Sequence, residues 1–476
     1  MAIESKHPVE KHFHKITKYH LYFFTLLFLT KVPVFWHVLS LLFTTPPMTY
    51  TCEGINGTNP CPCAKPIWNH SVFTQTVQTK YNIYCDKKWM VSFTQSMLYV
   101  GTLIGAFSFG FMSDNYGRLS SFLLSCLTVG VAGCLVAFMP SAIPFIILRC
   151  IEGVGVGGAI VTSYVLLVEY CGVSYREAVT ALFHIPLNVS HMSLAGVSYL
   201  VRNSDDFQLV ISVPVFATLF LYCLADESPK WLLDNNRLNE ATVIMEKIAK
   251  YNNTPAGNIK SDLQTYAAQQ TALKLQKVSF WHIFRYRRLT INLCCMAFIY
   301  FTCGMGYYGV SQYIGQMSGD IHSNVAMSGG LLIPGTCIAA YSLQKFGRRS
   351  FLMTTSFLSG TLMIAVILIP ENAHLARVLV ACIGCSVFFM SFIIVFLYGV
   401  ELFPTTIRNS VLGFLSVMSR VGQIAAPPIN SLPQTISGAT FGTMAIVGGF
   451  LCLFLPETKN TELPSTLEET RNIAKR

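Results

Sequence analysis

The chain consists of long apolar stretches separated by shorter polar segments. Each stretch has about 17–25 residues, the length at which an α-helix crosses the ~30 Å hydrocarbon core of a bilayer. We therefore predict twelve membrane spans, numbered in chain order. Their ranges are 21–43, 90–112, 119–138, 143–168, 178–201, 207–225, 289–310, 325–343, 351–369, 376–400, 411–429 and 436–455.

The composition also indicates a membrane protein. Of the 476 residues, 52% are hydrophobic and 12% are charged, and the mean hydropathy is +0.50. A soluble globular domain contains about 25% charged residues, so the composition argues against one. No compact basic segment precedes the first span and no small-residue cleavage site follows it, which predicts a retained helix rather than a signal peptide. The expected fold class is an all-α membrane protein.

Basic residues are distributed unevenly over the segments that join the spans. With the N-terminus inside, 24 of the 33 Lys and Arg lie on inner segments, 6 on outer segments and 3 within helices. Because Lys and Arg concentrate on the cytoplasmic side, this bias predicts a multi-pass protein with both termini in the cytoplasm. Topology then explains the net charge of +10, and no nucleic-acid partner is expected.

The segment after the first span, residues 44–89, is predicted to lie outside. Its four cysteines, Cys52, Cys61, Cys63 and Cys85, predict two disulfides, and the sequence leaves all three connectivities open. Metal binding by Cys61 and Cys63 is disfavoured because no histidines cluster near them. Asn56-Gly57-Thr58 and Asn69-His70-Ser71 are glycosylation sequons, and both features favour the plasma membrane.

Three motifs recur at an offset of 230 to 232 residues, each after the same helix number of its half. The first motif is Asp114-Asn115-Tyr116-Gly117-Arg118, which recurs as Gln344-Lys345-Phe346-Gly347-Arg348-Arg349. The second is Glu169 with Arg176, which recurs as Glu401 with Arg408. The third is Glu227-Ser228-Pro229-Lys230, which recurs as Glu457-Thr458-Lys459. The recurrence predicts two parallel six-helix repeats with a substrate site near the midplane between them.

The repeats define the expected domains. Residues 1–20 form a cytoplasmic N-terminus, 21–224 the first half, 225–288 a cytoplasmic linker, 289–455 the second half and 456–476 a cytoplasmic tail. The linker is polar with an amphipathic stretch from Leu238 through Ile248, which favours interfacial helices over a regulatory partner site.

These motifs resemble those of the major facilitator superfamily over essentially the whole chain. Gly110-x-x-x-Asp114-x-x-Gly117-Arg118 matches its loop signature and Arg149-x-x-x-Gly153-x-Gly155 its fourth-helix pattern. Within the superfamily, the chain is most similar to the organic ion transporters of solute carrier family 22. The residues that carry this resemblance are the Cys-bearing first loop, Glu227-Ser228-Pro229-Lys230-Trp231-Leu232, Tyr307-Tyr308-Gly309, Glu401-Leu402-Phe403-Pro404-Thr405-x-x-Arg408-Asn409, and Leu455-Pro456-Glu457-Thr458-Lys459.

The resemblance implies gating roles for the charged residues at the inner helix ends. In the superfamily this loop latches the inner face, and a carboxylate and a guanidinium at helix ends can pair in one conformation and separate in another. Gln344 replaces the usual Asp in the second copy, which argues against a symmetrical latch. The expected gating residues are Asp114, Gly117, Arg118, Glu169, Arg176, Arg348, Arg349, Glu401 and Arg408.

Arg420 lies near the middle of its span, where an ionised side chain costs at least about 2.5–3.5 kcal/mol and is normally kept for function or a buried partner. By the resemblance, Arg at this position is typical of anion and carnitine transporters and Asp of cation transporters. The alternative is a structural pair with Glu152. Lys31 either adds positive charge to the path or snorkels beside Pro33. Arg149 and Glu152, one turn apart, are interpreted as structural or gating residues.

Aromatic residues are expected along the path, and the resemblance gives Tyr307 and Tyr308 the most weight. Tyr164, Phe389 and Phe392 are further candidates, although the helical spacing of Phe389, Phe392 and Phe396 is also typical of packing or lipid contact. Aromatic walls suit flat organic solutes. Some anion transporters of the family carry Lys in the eighth helix, and Thr336 at that position argues against tight dicarboxylate binding.

The sequence contains no convincing enzyme motif. Gly153-x-Gly155-x-x-Gly158 fits the dinucleotide pattern literally, but it lies inside an apolar helix, where small residues favour close helix packing. The expected function is secondary transport of small organic ions by alternating access, preferring anions or carboxylate zwitterions, without a cofactor. An organic cation transporter and a non-transporting sensor or scaffold are the alternatives, and a co- or counter-transported ion stays open as a partner.

Overall fold

The computed structural model describes residues 8–9, 16–53, 57–172, 175, 179–180, 182–254, 259–270, 280–404 and 407–459. These ranges are mostly helical. The α-helices are α1 Lys18–Leu39, α2 Leu41–Thr44, α3 Val77–Lys80, α4 Trp89–Tyr116, α5 Arg118–Ala137, α6 Ala142–Glu169, α7 Ile185–Leu200, α8 Ser204–Ser212, α9 Leu221–Leu224, α10 Pro229–Asp234, α11 Leu238–Tyr251, α12 Ile259–Gln270, α13 Arg287–Gly315, α14 Ile321–Lys345, α15 Arg348–Leu368, α16 His374–Leu402, α17 Arg408–Asn430 and α18 Gln434–Leu451.

The helices follow the predicted order of spans. In the described ranges, nine helical segments are long and apolar enough to cross a membrane. The other three predicted spans are shorter, irregular or more polar. The fifth contains α7, and the sixth divides into α8, the 3-10 helix Val213–Phe220 and α9. Pro214 lies at the start of that 3-10 helix and has no N–H to donate. The eleventh, α17, is more polar and contains Arg420.

Helix packing repeats between the two halves. In the first half, α1 packs against α7, α4 against α6, and α5 against α6 and the sixth span. In the second half, α13 packs against α17, α14 against α16, and α15 against α16 and α18. These are the same pairings shifted by six spans. The structure therefore contains the two six-helix repeats that the motif offsets predict.

The halves meet through two equivalent helix pairs, α7 with α14 and α4 with α17. In the first pair, the Asn188 side-chain amide donates to Thr336 Oγ1 at 2.7 Å. In the second, Ser96 Oγ donates to the Ile424 carbonyl at 3.0 Å. We call the end of the bundle that carries the first loop the loop face and the opposite end the linker face. These contacts extend from the loop face to the middle of the spans.

The first loop forms a compact cap on the loop face. Strand β1 (Tyr50–Cys52) pairs antiparallel with β2 (Pro66–Trp68), with Tyr50 opposite Trp68. Disulfides join Cys52 to Cys63 and Cys61 to Cys85, which selects one of the three connectivities. The Asn69 side chain is exposed and accepts a hydrogen bond from the Ser71 N–H at 3.0 Å. Asn56 lies outside the described residues.

The glycines of α6 allow α4 and α5 to approach closely. A β-carbon at Gly157 would lie 2.1 Å from the Thr102 carbonyl oxygen of α4, and one at Gly155 would lie 2.8 Å from the Ser125 carbonyl oxygen of α5. Both neighbours are backbone atoms, which cannot rotate away. The helix-packing interpretation of the glycine pattern in α6 is confirmed.

This packing predicts a clear difference between two glycine substitutions. Gly157→Ala forces α4 and α6 apart, and overpacking of this kind costs about 1–3 kcal/mol or more. A β-carbon at Gly196 has no neighbour within 4 Å, so Gly196→Ala is the control. Thermal unfolding of the detergent-purified protein should show a clear loss of stability for Gly157→Ala alone. Equal melting temperatures for the two variants would contradict the packing.

Candidate functional site

Arg420 lies at the centre of the contact between the halves. Its side chain is 8% exposed, and Nη1 donates to the Thr102 carbonyl of α4 at 3.1 Å. Tyr99, one turn before Thr102 on α4, places its ring 5.6 Å from that of Tyr308 of α13. A guanidinium carries five N–H donors, and one backbone carbonyl satisfies only one of them. Arg420 therefore retains hydrogen-bonding capacity toward a bound anion.

An aromatic cluster lies beside Arg420 in the second half. The Tyr307 ring centroid is 4.8 Å from that of Tyr308 and 4.7 Å from that of Phe389. Phe392 lies 6.1 Å from Tyr307 and 6.4 Å from Tyr308. The Tyr307 hydroxyl is buried and has no hydrogen-bond partner in the part of the chain that the structure describes. The structure thus brings together four of the aromatic residues expected along the path.

Two residues of the first half complete this cluster, and neither was a candidate from the sequence. The His184 ring lies 5.6 Å from Phe389 and 6.0 Å from Phe392. The Tyr99 ring lies 5.6 Å from Tyr308, and its hydroxyl accepts a hydrogen bond from Gln312 at 3.1 Å. The aromatic wall is therefore shared between the halves.

Lys31 is buried rather than snorkelling, with 2% of its surface exposed. Its ammonium lies over the ring of Phe183 and donates a long hydrogen bond of 3.4 Å to the Phe183 carbonyl. Phe183 also contacts Tyr164 and the His184 ring, at 5.0 and 5.5 Å. Through these rings, Lys31 and Tyr164 join the same cluster. Within the described residues, no carboxylate lies within ion-pair distance of Lys31 or Arg420.

Glu152 belongs to a separate buried network. The alternative interpretation, a structural pair between Glu152 and Arg420, is therefore wrong. Arg149 Nη1 lies 3.2 Å from Glu152 Oε2, and Arg149 Nη2 donates to Gln208 Oε1 at 2.9 Å. His37 Nδ1 contacts the second oxygen of Glu152. Ser40 Oγ accepts from Arg149 at 3.0 Å. The i, i+3 pair predicted from the sequence is present, and His37 and Gln208 join it from spans 1 and 6.

A charged cluster joins the helix ends of the first half at the linker face. Arg118 Nε donates to Glu169 Oε1 at 3.1 Å, and its Nη1 donates to Asp114. Glu227 Oε1 accepts from the Arg118 N–H at 2.9 Å at the start of α5. Gly117 has φ +110, and a β-carbon there would lie 2.4 Å from Glu227 Oε2. Gly117 is thus required both by its backbone conformation and by the carboxylate that caps α5.

The second half repeats this cluster. Arg348 Nη2 lies 3.0 Å from Glu401 Oε1, and its backbone N–H donates to Glu457 Oε1 at 2.7 Å. Arg348 Nη1 donates to the Leu343 carbonyl at 2.7 Å. The Leu343 carbonyl thus accepts the hydrogen bond that Asp114 accepts in the first half. The two clusters therefore differ in charge at this position, where a neutral carbonyl oxygen takes the place of the Asp114 carboxylate.

The remaining gating candidates donate to backbone carbonyls. Arg349 is half-buried and donates to the Leu453 carbonyl at 3.0 Å, and Arg408 donates to the Phe403 carbonyl at 3.1 Å. Arg176 lies outside the described residues. Glu227 and Glu457 were identified only as repeat markers, and their shared offset was a signal that they have equivalent roles: each caps a helix that begins 109 residues earlier in the chain, α5 and α15.

The arrangement suits binding and movement rather than chemical catalysis. The described residues hold no group of three or more His, Cys, Asp or Glu side chains that could bind a metal ion. The centre combines aromatic rings with two buried cations, and charged clusters hold the helix ends at the linker face. Such a centre can bind an organic ion by ring contacts and charge-assisted hydrogen bonds.

Comparison with known proteins gives matches along most of the chain. The family model described as sugar (and other) transporter matches residues 56–469. Solute carrier family 22 member 1 of Bos taurus is 29% identical over 414 residues, covering 86% of this chain and 73% of the relative. The organic cation transporter protein of Drosophila melanogaster is 30% identical over 446 residues, covering 90% and 81%.

Solved structures give the same fold. The inward-open conformation of the xylose transporter XylE from E. coli has a TM-score of 0.71 at 16% sequence identity, covering 96% of this chain and all of that chain. This likeness shows the fold alone.

The buried network makes a prediction about Glu152. Glu152→Gln removes the carboxylate and leaves Arg149 as an uncompensated buried charge, which costs about 3–5 kcal/mol. Glu371 is the control, because its side chain is 86% exposed and lies 3.7 Å from Arg377. Thermal unfolding should show a large loss of stability for Glu152→Gln and little change for Glu371→Gln. A Glu152→Gln variant as stable as the native protein would show that the network does not stabilise the fold.

Proposed function

Because the chain belongs to the sugar (and other) transporter family, and within it to the organic ion transporters of solute carrier family 22, we propose that it carries small organic anions or carboxylate-bearing zwitterions by alternating access. The chain is a transporter with the major facilitator fold and not an enzyme. The anion preference, the mechanism and the roles of individual residues are the proposed part.

The uncompensated charge of Arg420 carries the proposal. The side chain is buried, and among the described residues its one hydrogen-bond acceptor is an uncharged carbonyl. In a low-dielectric site, a fixed guanidinium attracts a carboxylate more strongly than it does in water and can bind it through two parallel hydrogen bonds. Lys31 adds a second positive charge, whereas the Glu152 charge is balanced by Arg149.

The aromatic cluster supplies the apolar part of the site. Tyr307, Tyr308, Phe389 and Phe392 come from the second half, and Tyr164 comes from the first. Flat organic groups gain dispersion and stacking contacts on such rings. A substrate with one carboxylate and an apolar body matches both features of the centre.

Alternating access follows from where the halves touch. The contacts of α7 with α14 and of α4 with α17 hold the loop-face side closed, and substrate would approach Arg420 from the linker face. Opening the loop face requires these contacts to break. The two arginine–carboxylate clusters at the linker face would keep each half rigid during that movement, which is the gating role we propose for Arg118 and Arg348.

The proposed orientation places the loop face outside the cell and both termini in the cytoplasm of a plasma-membrane protein. The two disulfides suit an oxidising compartment, and exposed Asn69 is the proposed glycosylation site within the described residues. The bias of Lys and Arg toward the linker face agrees with this orientation.

A second candidate is transport of organic cations. The Drosophila relative is named an organic cation transporter, and aromatic rings also bind cations through their π faces. In that case the substrate would contact the rings and avoid Arg420. A non-transporting sensor would bind an organic ion without moving it.

Arg420→Ala tests the proposal. Loss of a charge-assisted hydrogen bond of about 1.5–3 kcal/mol should lower uptake of a labelled organic carboxylate about 10- to 100-fold. Arg420→Lys keeps the charge without the planar fork and should retain intermediate uptake. Uptake by cells expressing equal surface amounts of each variant is the measurement, with a carnitine-like zwitterion and a quaternary amine as further substrates.

Arg377→Ala is the matched control, because Arg377 is also buried and donates to a backbone carbonyl, that of Val366. Carboxylate uptake that is unchanged in Arg420→Ala would refute the role of this residue. Uptake of the quaternary amine alone would favour the cation transporter, and surface expression without uptake of any substrate would favour the sensor.

A further inference from the structure

His322 lies at the loop face, in the first turn of α14, and contacts the first half. It is 7% exposed. Its ring stacks on Phe43 with a centroid distance of 5.6 Å and an interplanar angle of 16°. Phe73 of the first loop lies 5.5 Å away, and Tyr199 of α7 meets the ring edge-on at 5.7 Å. One histidine of the second half thus contacts three separate segments of the first.

Both ring nitrogens of His322 have polar partners. Nδ1 lies 3.2 Å from Asp320 Oδ1, and Nε2 lies 3.3 Å from the Ser198 hydroxyl of α7. Asp320 precedes α14 and caps it, accepting a hydrogen bond from the Ser323 N–H at 2.9 Å. The Ser198 contact crosses between the halves, whereas the Asp320 contact stays within the second half.

The ionisable groups around His322 come from three segments. Asp320 is the neighbouring carboxylate, and α7 contributes Tyr199, with the Arg202 guanidinium 5.4 Å from the Tyr199 ring centroid. In the loop, His70 Nδ1 lies 3.4 Å from the Phe73 carbonyl. Phe43, at the end of span 1, packs on Phe207 of α8 and brings no ionisable group. Asp320 is therefore the one carboxylate in this described set.

We propose that His322 is an acid-sensitive lock on the loop face, whose protonation favours the conformation in which the halves are closed there. A doubly protonated ring donates to both the Asp320 carboxylate and the Ser198 hydroxyl, whereas a neutral ring that donates to Asp320 can only accept from Ser198. As a cation, it also gains attraction to the faces of Phe43 and Phe73. Opening of the loop face would remove the contacts with Ser198, Phe43 and Phe73.

Partial burial raises the pKa of Asp320, but hydrogen bonds from Ser323 and His322 outweigh it, and the pKa lies below its ordinary value. Asp320 therefore keeps its charge in the range of about pH 5–8 where a histidine changes protonation. The Asp320 contact stays within the second half, so the contacts that change on closure are those with Ser198, Phe43 and Phe73. In the proposed lock, these contacts hold the protonated ring more strongly than the open state does, and linkage then requires that acid favours closure.

Cysteine labelling tests the lock without any substrate, so its result does not depend on what the protein transports. Ser96 is 9% exposed and donates to Ile424 across the halves, so Ser96→Cys should react with a membrane-impermeant maleimide mainly when the loop face opens. Labelling is followed at pH 8 and pH 5.5 in cells, with peptide mapping to quantify residue 96. Comparing variants at the same pH removes the pH dependence of thiol reactivity.

We expect that adding His322→Gln to the Ser96→Cys protein raises the labelling rate of residue 96 about three- to tenfold at pH 5.5 and changes it little at pH 8. Asp320→Asn should have the same effect, and because Asn also caps helices it preserves the start of α14. His374→Gln is the control, since His374 is exposed and bonds to Ser318. The proposal is overturned if the rates of both variants keep the same ratio to the parent at the two pH values, or if acid raises labelling relative to His322→Gln.

Discussion

The high free energy of an ionised side chain in hydrocarbon constrains where this chain can place charge. Among the Asp, Glu, Lys and Arg side chains that the structure describes, four lie deep within the spans, and they fall into two groups. Arg149 and Glu152 compensate each other and are completed by His37 and Gln208. Lys31 and Arg420 are buried with neutral acceptors only, among the described residues. A membrane protein gains no stability from such unbalanced charges, so the presence of Lys31 and Arg420 favours a role in binding.

The repeat determines where Arg420 lies relative to the two halves. Equivalent helix pairs, α7 with α14 and α4 with α17, bring the halves together around one axis, and Arg420 lies on the second pair. Its contact with Thr102 links the halves at the same place where Tyr99 meets Tyr308. A ligand that neutralises Arg420 therefore acts directly on the surface along which the halves must separate. Binding and movement are coupled by geometry in this arrangement.

Much of the fold followed from local sequence, and much of the site did not. Span positions followed from stretch length, and the Arg149–Glu152 pair followed from their i, i+3 spacing, because both depend on residues close in the chain. The partners of long-range contacts could not be predicted: His37 is 115 residues from Glu152, and Asn188 is 148 residues from Thr336. The disulfide connectivity also depended on tertiary structure, whereas Pro214 was a local signal of the irregular sixth span. At Gln344, local sequence did not reveal that the Leu343 carbonyl accepts the hydrogen bond that Asp114 accepts in the first half.

The central claim is that the path between the halves binds anions through Arg420. Ligand-dependent thermal stabilisation of the purified protein tests it most directly, because a ligand that binds only the folded state raises the melting temperature. The account predicts that an aromatic carboxylate stabilises the native protein in a concentration-dependent way and does not stabilise Arg420→Ala, while a quaternary ammonium ion of similar size has little effect on either. Stabilisation by the ammonium ion alone, or equal stabilisation of both proteins by the carboxylate, would contradict it.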